Sequence, residues 1–455
     1  MSLYLCIAAF IICLVSSRHS LVSGLTVLLT VGYAYGIMRA NLPETYSHFI
    51  FDAGVLGFYA AQLFPRLTPF EEYRIQSVRH WLEFLIGWPL LLFLIPNQDI
   101  LIRFVGLRGS IFLLPFIVIG TRLTNTAKYD FAIRLAILNI AVFGVAAVEY
   151  FVGIEQFFPR NEVTRLIYLS KDVMGNSAYR IPSTFTGAHA YAGTMVMSLP
   201  LLLGALNHKK TQSFHKPLLV AAVSVSLLGV LVAATRLHFV GAVIIIIATL
   251  FSIRSRAGYL GGLIMILAGL GWVVSSEQRL QRFTNLQNTE MVSERVAGSI
   301  NMGFFDLASA YPFGNGLGGG GTNIPYFLSR PIEKPVGMEN EYARIMLEQG
   351  LIGLGLWIAF IVWLLTRRGV DPSDPWFLGR RLAWVTCAAY FATGLIGTGL
   401  LTSIPQTCLF LISVGWVASQ PEEIPEQKSL ADRNSNGYYA PQLITSSNLP
   451  KPSKV

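Results

Sequence analysis

Residues 218–251, LLVAAVSVSLLGVLVAATRLHFVGAVIIIIATLF, decide the fold. Apart from Thr235-Arg236-Leu237-His238, this stretch carries no polar interruption. As one helix its 34 residues would measure about 51 Å, and the apolar core of a bilayer is about 30 Å thick. The stretch is therefore two membrane spans joined by a tight turn, and Arg236 sits at a membrane face. The runs are continuous rather than alternating, which excludes a β-barrel.

The rest of the chain repeats this pattern. Hydrophobic residues make up 53% of it and charged residues 13%, about half the charge of a soluble protein. Apolar spans are expected near 2–15, 20–38, 49–64, 81–95, 109–120, 131–152, 190–206, 217–234, 239–251, 257–274, 345–366, 382–397 and 402–418. The expected class is an all-α polytopic membrane protein of about 12–13 transmembrane helices. Thirteen spans put the N-terminus outside; twelve result if one of the first three segments is re-entrant. Cys6, Cys13, Cys387 and Cys408 all lie inside apolar runs and read as small buried hydrophobes.

Orientation follows from Lys and Arg in short loops. Loops 65–80, 121–134, 207–216, 252–256 and 367–381 hold 15 basic residues, and the opposite loops 39–48, 96–108, 235–238 and 398–405 hold 4. The first set is expected in the cytoplasm, so loops 153–189 and 275–344 face outward. The net charge of +9 is mostly this topological signal, and nucleic acid is not an expected partner. The expected organisation is a helix bundle over 1–274, an outer catalytic loop over 275–344, three helices over 345–418, and a cytoplasmic tail over 419–455. That tail is rich in Pro, Glu, Ser and Asn and is expected to be disordered.

Chemistry is expected on the outer side. Arg180, Arg236 and Arg295 stand there. An arginine at membrane depth costs about 2.5–3.5 kcal/mol on insertion scales, so it needs a partner or a task. Its planar fork suits phosphate oxygens. Read singly, each could instead snorkel to headgroups or pair with a local acid. The turn PFGNGLGGGG, Pro312 to Gly321 with Gly316 near its centre, could cradle phosphate through backbone N–H groups or act as a plain flexible turn. It is no Walker motif, since no Gly-Lys-Ser/Thr follows. GMENEYARIMLEQGLIG supplies Glu339, Asn340, Glu341 and Tyr342 at the expected start of a helix, with Glu341 and Arg344 spaced to pair on one face. A carboxylate there could take a proton from a hydroxyl; a helix-capping cluster is the plainer reading. His189 and His238 are further candidate bases or structural groups. No metal-ligand spacing occurs.

Four stretches carry a resemblance: FTGAHAYAGTMVMSLPLL, AATRLHFVGAVII, SERVAGSINMGFFDLASAYPFGNGLGGG and ENEYARIMLEQGLIGLGLWI. In this order the chain, over about residues 105–370, resembles the O-antigen ligase and Wzy-type polysaccharide polymerase superfamily. The resemblance implies a GT-C-like, metal-independent, inverting glycosyltransferase with no cofactor. It would lie in the bacterial inner membrane and take glycan from undecaprenyl pyrophosphate on the periplasmic side. Its acceptor would be a second glycan or a lipid core, with polysaccharide assembly proteins as possible neighbours. Arg180, Arg236 and Arg295 become the pyrophosphate ligands. The base becomes Glu339, with His189 as the fallback; His238, Gly316, Asn340, Glu341 and Tyr342 are accessory. Ligases of the superfamily carry a histidine shortly before Asn-x-Tyr, where Met338 and Glu339 stand here, which favours polymerase over ligase. A lipid-linked-sugar flippase is the reading from another class; the absence of an internal repeat weighs against it.

Overall fold

The structure is a computed structural model and describes residues 1–42, 44–63, 67–159, 180–208, 211–252, 290, 293, 304–320, 340–368, 372–397 and 399–420. Span 257–274, Arg295, Glu339 and the tail beyond 420 lie outside the described residues, as does most of loop 275–344. The described residues form helices and no strand. In chain order the helices are α1 (Ser2–His19), α2 (Leu21–Asn41), α3 (Ile50–Gln62), α4 (Pro69–Phe93), α5 (Ile100–Ile111), α6 (Phe116–Arg122), α7 (Asn125–Val152), α8 (Ala188–Leu206), α9 (His215–Val232), α10 (Arg236–Ser252), α11 (Phe304–Ala310), α12 (Glu341–Thr366), α13 (Phe377–Thr393) and α14 (Gln406–Ala418).

Seven of the described helical segments are long and apolar enough to cross a membrane: Ser2–His19, Leu21–Asn41, Ile100–Arg122, Asn125–Val152, Ala188–Leu206, His215–Val232 and Glu341–Thr366. Arg236–Ser252 and Gln406–Ala418 are apolar but shorter. The long apolar stretch does turn. Its break falls at 233–235, and Arg236 and His238 form the first turn of α10. Two other boundaries move for a physical reason. The helix read from 81 starts at Pro69, because Thr68 and Glu71 close a capping box. The span read from 109 starts at Ile100, because Arg108 is no loop residue: it pairs with Asp52 of α3 at 2.5 Å.

Two ends of the bundle are distinguishable. At one, the amino group of Met1 reaches Glu44 at 3.4 Å, and Tyr35 donates to the His48 carbonyl at 2.9 Å. At the other, Gln62 donates to the Ser17 carbonyl at 2.5 Å. Helices α1 and α3 thus run parallel, and Met1 lies at the same end as Glu44. The second end gathers described basic residues from the Lys/Arg-rich loops. Arg74 donates to the Leu123 carbonyl, and Arg380 to the carbonyls of Val417 and Ser419. Lys128 lies 5.1 Å from the Trp416 ring and 5.7 Å from that of Trp376.

Arg122 closes this end. Its Nε donates to Glu71 at 2.7 Å and its Nη1 to the Gln62 carbonyl at 2.7 Å, tying α6 to α4 and α3. Burial alone would raise the Glu71 carboxyl; the Thr68 backbone and Arg122 outweigh it and hold the group below its ordinary 4.5. A lowered folded-state value stabilises the protein above the unfolded value and is lost as pH falls through the folded one. Glu71→Gln should therefore lower thermal stability at neutral pH by about 1–2 kcal/mol. It should also flatten the acid limb of the stability profile, as read by thermal unfolding of detergent-purified protein from pH 7 down to pH 3.

Candidate functional site

Residues 180–187 lead into α8, and the structure nails this short segment to older parts of the chain. Ser183 N–H donates to the buried Glu149 carboxylate at 2.8 Å, and the Ser183 hydroxyl donates to the Val142 carbonyl at 2.8 Å. Thr184 accepts from Ile37 N–H at 2.9 Å. Gly36 of α2 lies so close to the Phe185 backbone that a Cβ would collide with it. The segment is thus a fixed platform for Arg180.

From that platform Arg180 Nη1 meets His189 Nε2 at 2.8 Å. A guanidinium can only donate. His189 Nε2 is therefore the acceptor, its proton is on Nδ1, and the imidazole is neutral in this arrangement. The His189 ring lies 6.0 Å from the ring of His238, which is buried in the first turn of α10. Gln406, which opens α14, continues the chain of contacts. Its amide nitrogen lies 3.3 Å from His238 Nε2 and 2.5 Å from the Tyr390 hydroxyl of α13. Its oxygen accepts from Ser403 at 3.2 Å. The half-buried Arg236 sits two residues before His238 in the same helical turn.

Among the described residues, two that are not glycine hold left-handed backbone: Ser183 (φ 51) and Ala234 (φ 50). They lie in the two turns that deliver Arg180 and Arg236. Such strain collects at functional sites and persists only where the surroundings enforce it.

The start of α12 does other work. Asn340 caps it, accepting from the N–H groups of Tyr342 at 2.9 Å and Ala343 at 3.2 Å. Arg344, wholly buried, donates to Glu341 at 2.6 Å and to Glu348 at 2.6 Å. The second Glu341 oxygen accepts from Gly399 N–H at 2.9 Å, and the Glu341 N–H donates to the Gly394 carbonyl at 2.9 Å. Tyr342 donates to the Phe391 carbonyl at 2.7 Å. Glu341 thereby clamps the α13–α14 connector, which carries Ser403 and leads into Gln406, and Tyr342 ties the end of α13 to the same turn.

The glycine-rich turn is also committed to packing. Asn315 N–H donates to the Leu347 carbonyl at 2.6 Å, and the Pro312 carbonyl accepts from Leu351 N–H at 2.9 Å. Gly319 N–H donates to the Gly316 carbonyl at 3.0 Å, and Gly320 N–H donates to Glu348. Gly316 rests against Asn97, while Gln98 donates to the Asn315 carbonyl at 3.0 Å. The turn wedges between α5 and a break in α12 at Gly350, whose φ of 72 and contact with the Phe313 backbone leave no place for a side chain. The N–H groups of Gly314, Asn315, Gly319 and Gly320 thus bond within the protein, and the turn has a packing role.

The structure therefore unites Arg180, His189 and His238, with Arg236 in the same turn as His238. It places Glu341 and Tyr342 against the segment that leads to Gln406, Asn340 at the cap of α12, and Gly316 in a separate wedge. Arg295 and Glu339 lie outside the described residues. Sequence reading missed Gln406, Tyr390 and the Asp52–Arg108 pair. The signal for Gln406 was present: a carboxamide inside an apolar run must find hydrogen-bond partners. Among the described residues no group of three or more His, Cys, Asp or Glu could hold a metal ion.

Breaking the buried triad should harm the fold before the chemistry. Glu341→Gln leaves the Arg344 charge short of a partner, at a cost of about 3–5 kcal/mol. The expected outcome is a lowered unfolding midpoint and reduced yield of folded protein. A stably folded Glu341→Gln protein that lacks only activity would instead make Glu341 part of the chemistry.

Compared with known proteins, the sequence matches no protein-family model and no curated protein.

Proposed function

We propose that the chain is an inverting, metal-independent glycosyltransferase of the bacterial inner membrane. It extends polysaccharide from undecaprenyl-pyrophosphate-linked repeats on the periplasmic side. The observation that carries this reading is the meeting of two chain segments, one bringing Arg180 and His189 and the other His238 with Arg236 beside it, at the end of the bundle opposite the basic loops. The family-like motifs quoted above support the same assignment.

In this reaction the acceptor hydroxyl attacks the anomeric carbon of the donor glycan from the face opposite the pyrophosphate. The new C–O bond forms as the old one breaks, and the electron pair of the old bond leaves with the pyrophosphate. The configuration inverts, and the hydroxyl proton passes to a base. Charge develops on the departing phosphate, so preorganised cations in a water-poor site lower the barrier most. Arg180 and Arg236 take that role, joined by Arg295.

The Arg180–His189 contact gives the cations a second use. A phosphate oxygen at Arg180 competes with His189 for the guanidinium N–H, because a charge-assisted bond to an anion is the stronger one. Donor binding then releases the His189 Nε2 lone pair next to the bound glycan, where it takes the hydroxyl proton. Glu339 is the other residue in reach of this role by sequence position.

Arg236→Ala should abolish chain elongation while leaving the amount of folded protein unchanged; near-normal polymer from a stably expressed variant would remove that arginine's role. His189→Gln keeps a hydrogen-bonding side chain but no base. It should lower the elongation rate by about 10²–10⁴-fold, with the loss in kcat rather than in KM for the donor. An unchanged rate would shift the base to Glu339. In cells, deletion should leave single repeats on the lipid. Long chains stranded on undecaprenyl pyrophosphate would mark a ligase instead.

A further inference from the structure

A second cationic cluster stands at the same end of the bundle, built by side chains that the proposed reaction does not use. Arg108 of α5 makes a two-pronged pair with Asp52 of α3, Nε to Oδ2 at 2.5 Å and Nη2 to Oδ1 at 2.6 Å. Asp52 is 7% exposed, whereas the Arg108 side chain keeps 29% of its surface. The acid is thus the buried anchor of the pair, and the Arg108 side chain keeps part of its surface open. Arg39, in the last turn of α2, stands one turn beyond Tyr35 and beside its hydroxyl. Tyr35 is itself fixed by donating to the His48 carbonyl at 2.9 Å. Among the described residues no carboxylate lies within ion-pairing distance of Arg39.

The charges do not balance: two guanidiniums face one carboxylate. His48 adds no third charge, since burial together with Arg39 and Arg108 pushes its imidazole down to about 4. The cluster remains half-buried and open at the surface. It therefore offers one net positive charge, with Asp52 of α3 and Tyr35 of α2 as its buried partners. A single interfacial arginine reaching for a headgroup has no such scaffold.

We infer that Arg39 and Arg108 form a second binding site for a phosphate-type anion, and that it holds the pyrophosphate of a second lipid-linked substrate. The second half rests on the proposed function, and the chemistry asks for it. In polymerisation donor and acceptor are both glycans on lipid pyrophosphate, so two such groups must sit at one face while one anomeric bond changes hands. The Arg180 cluster serves the leaving group. The Arg39 cluster would hold the group that stays bonded to its glycan.

The test uses purified full-length protein titrated with farnesyl pyrophosphate, with bound equivalents counted by native mass spectrometry. Wild type should bind one equivalent more than Arg39→Gln, while Arg39→Lys should retain that equivalent with affinity weakened about tenfold. Arg39 is half-buried and forms no ion pair with a described residue, so its replacement should leave the unfolding midpoint unchanged. Equal stoichiometry and affinity in wild type and Arg39→Gln would overturn the site. The same titration repeated with equimolar phosphatidylglycerol identifies the source of the anion. Retention of the Arg39-dependent equivalent supports a substrate site, and its full displacement overturns that assignment in favour of a bulk-lipid headgroup. A protein that shows the Arg39-dependent equivalent but no glycosyl transfer would sink the proposed reaction and not the anion site.

Discussion

Arg344 is the charge around which the described residues at the start of α12 and their neighbours are organised. It is fully buried between Glu341 and Glu348. A guanidinium in that environment is tolerable only if its carboxylates stay in place. Each carboxylate in turn holds a piece of irregular backbone: Glu341 takes the Gly399 N–H of the α13–α14 connector, and Glu348 takes that of Gly320 in the glycine wedge. Irregular chain at membrane depth survives where protein satisfies its polar groups. One buried ion triad thus fixes two loops, one of which leads into Gln406 and so reaches the histidines.

The break at Gly350 belongs to the same arrangement. A straight helix would keep its carbonyls to itself. With the chain in left-handed backbone at Gly350, the Leu347 carbonyl accepts from Asn315 and the Gln349 carbonyl from the Trp88 indole at 2.9 Å. The first turns of α12 therefore pack with the glycine wedge and the α13–α14 connector, while the remainder runs as an ordinary apolar helix.

What the sequence disclosed was local or periodic. The turn inside 218–251, the capping cluster at Asn340 and the Glu341–Arg344 pairing all follow from composition and helical spacing. The misplaced boundaries share one cause: charges were read as loop markers. Arg108 and the first turns of α4 are polar yet helical, because Asp52 and Arg122 lie far away in sequence and supply the compensation. The same limit hid the partners of the histidines. Nothing near His238 in sequence announces Gln406, 168 positions later. Nor does anything near Arg180 show that Glu149 and α2 hold its platform. Glycine-rich loops carry the opposite hazard: the composition fits a phosphate cradle and a close-packed wedge equally well, and only the neighbours of Asn315 and Gly320 separate them.

The contact between Gln406 and His238 bears on how the protein is made. Spans enter the membrane in chain order, so α10 is in place long before α14 is synthesised. Until Gln406 arrives, the polar edge of His238 and the Tyr390 hydroxyl lack the amide that joins them. The cluster is therefore completed only by α14, the last of the described helices in chain order.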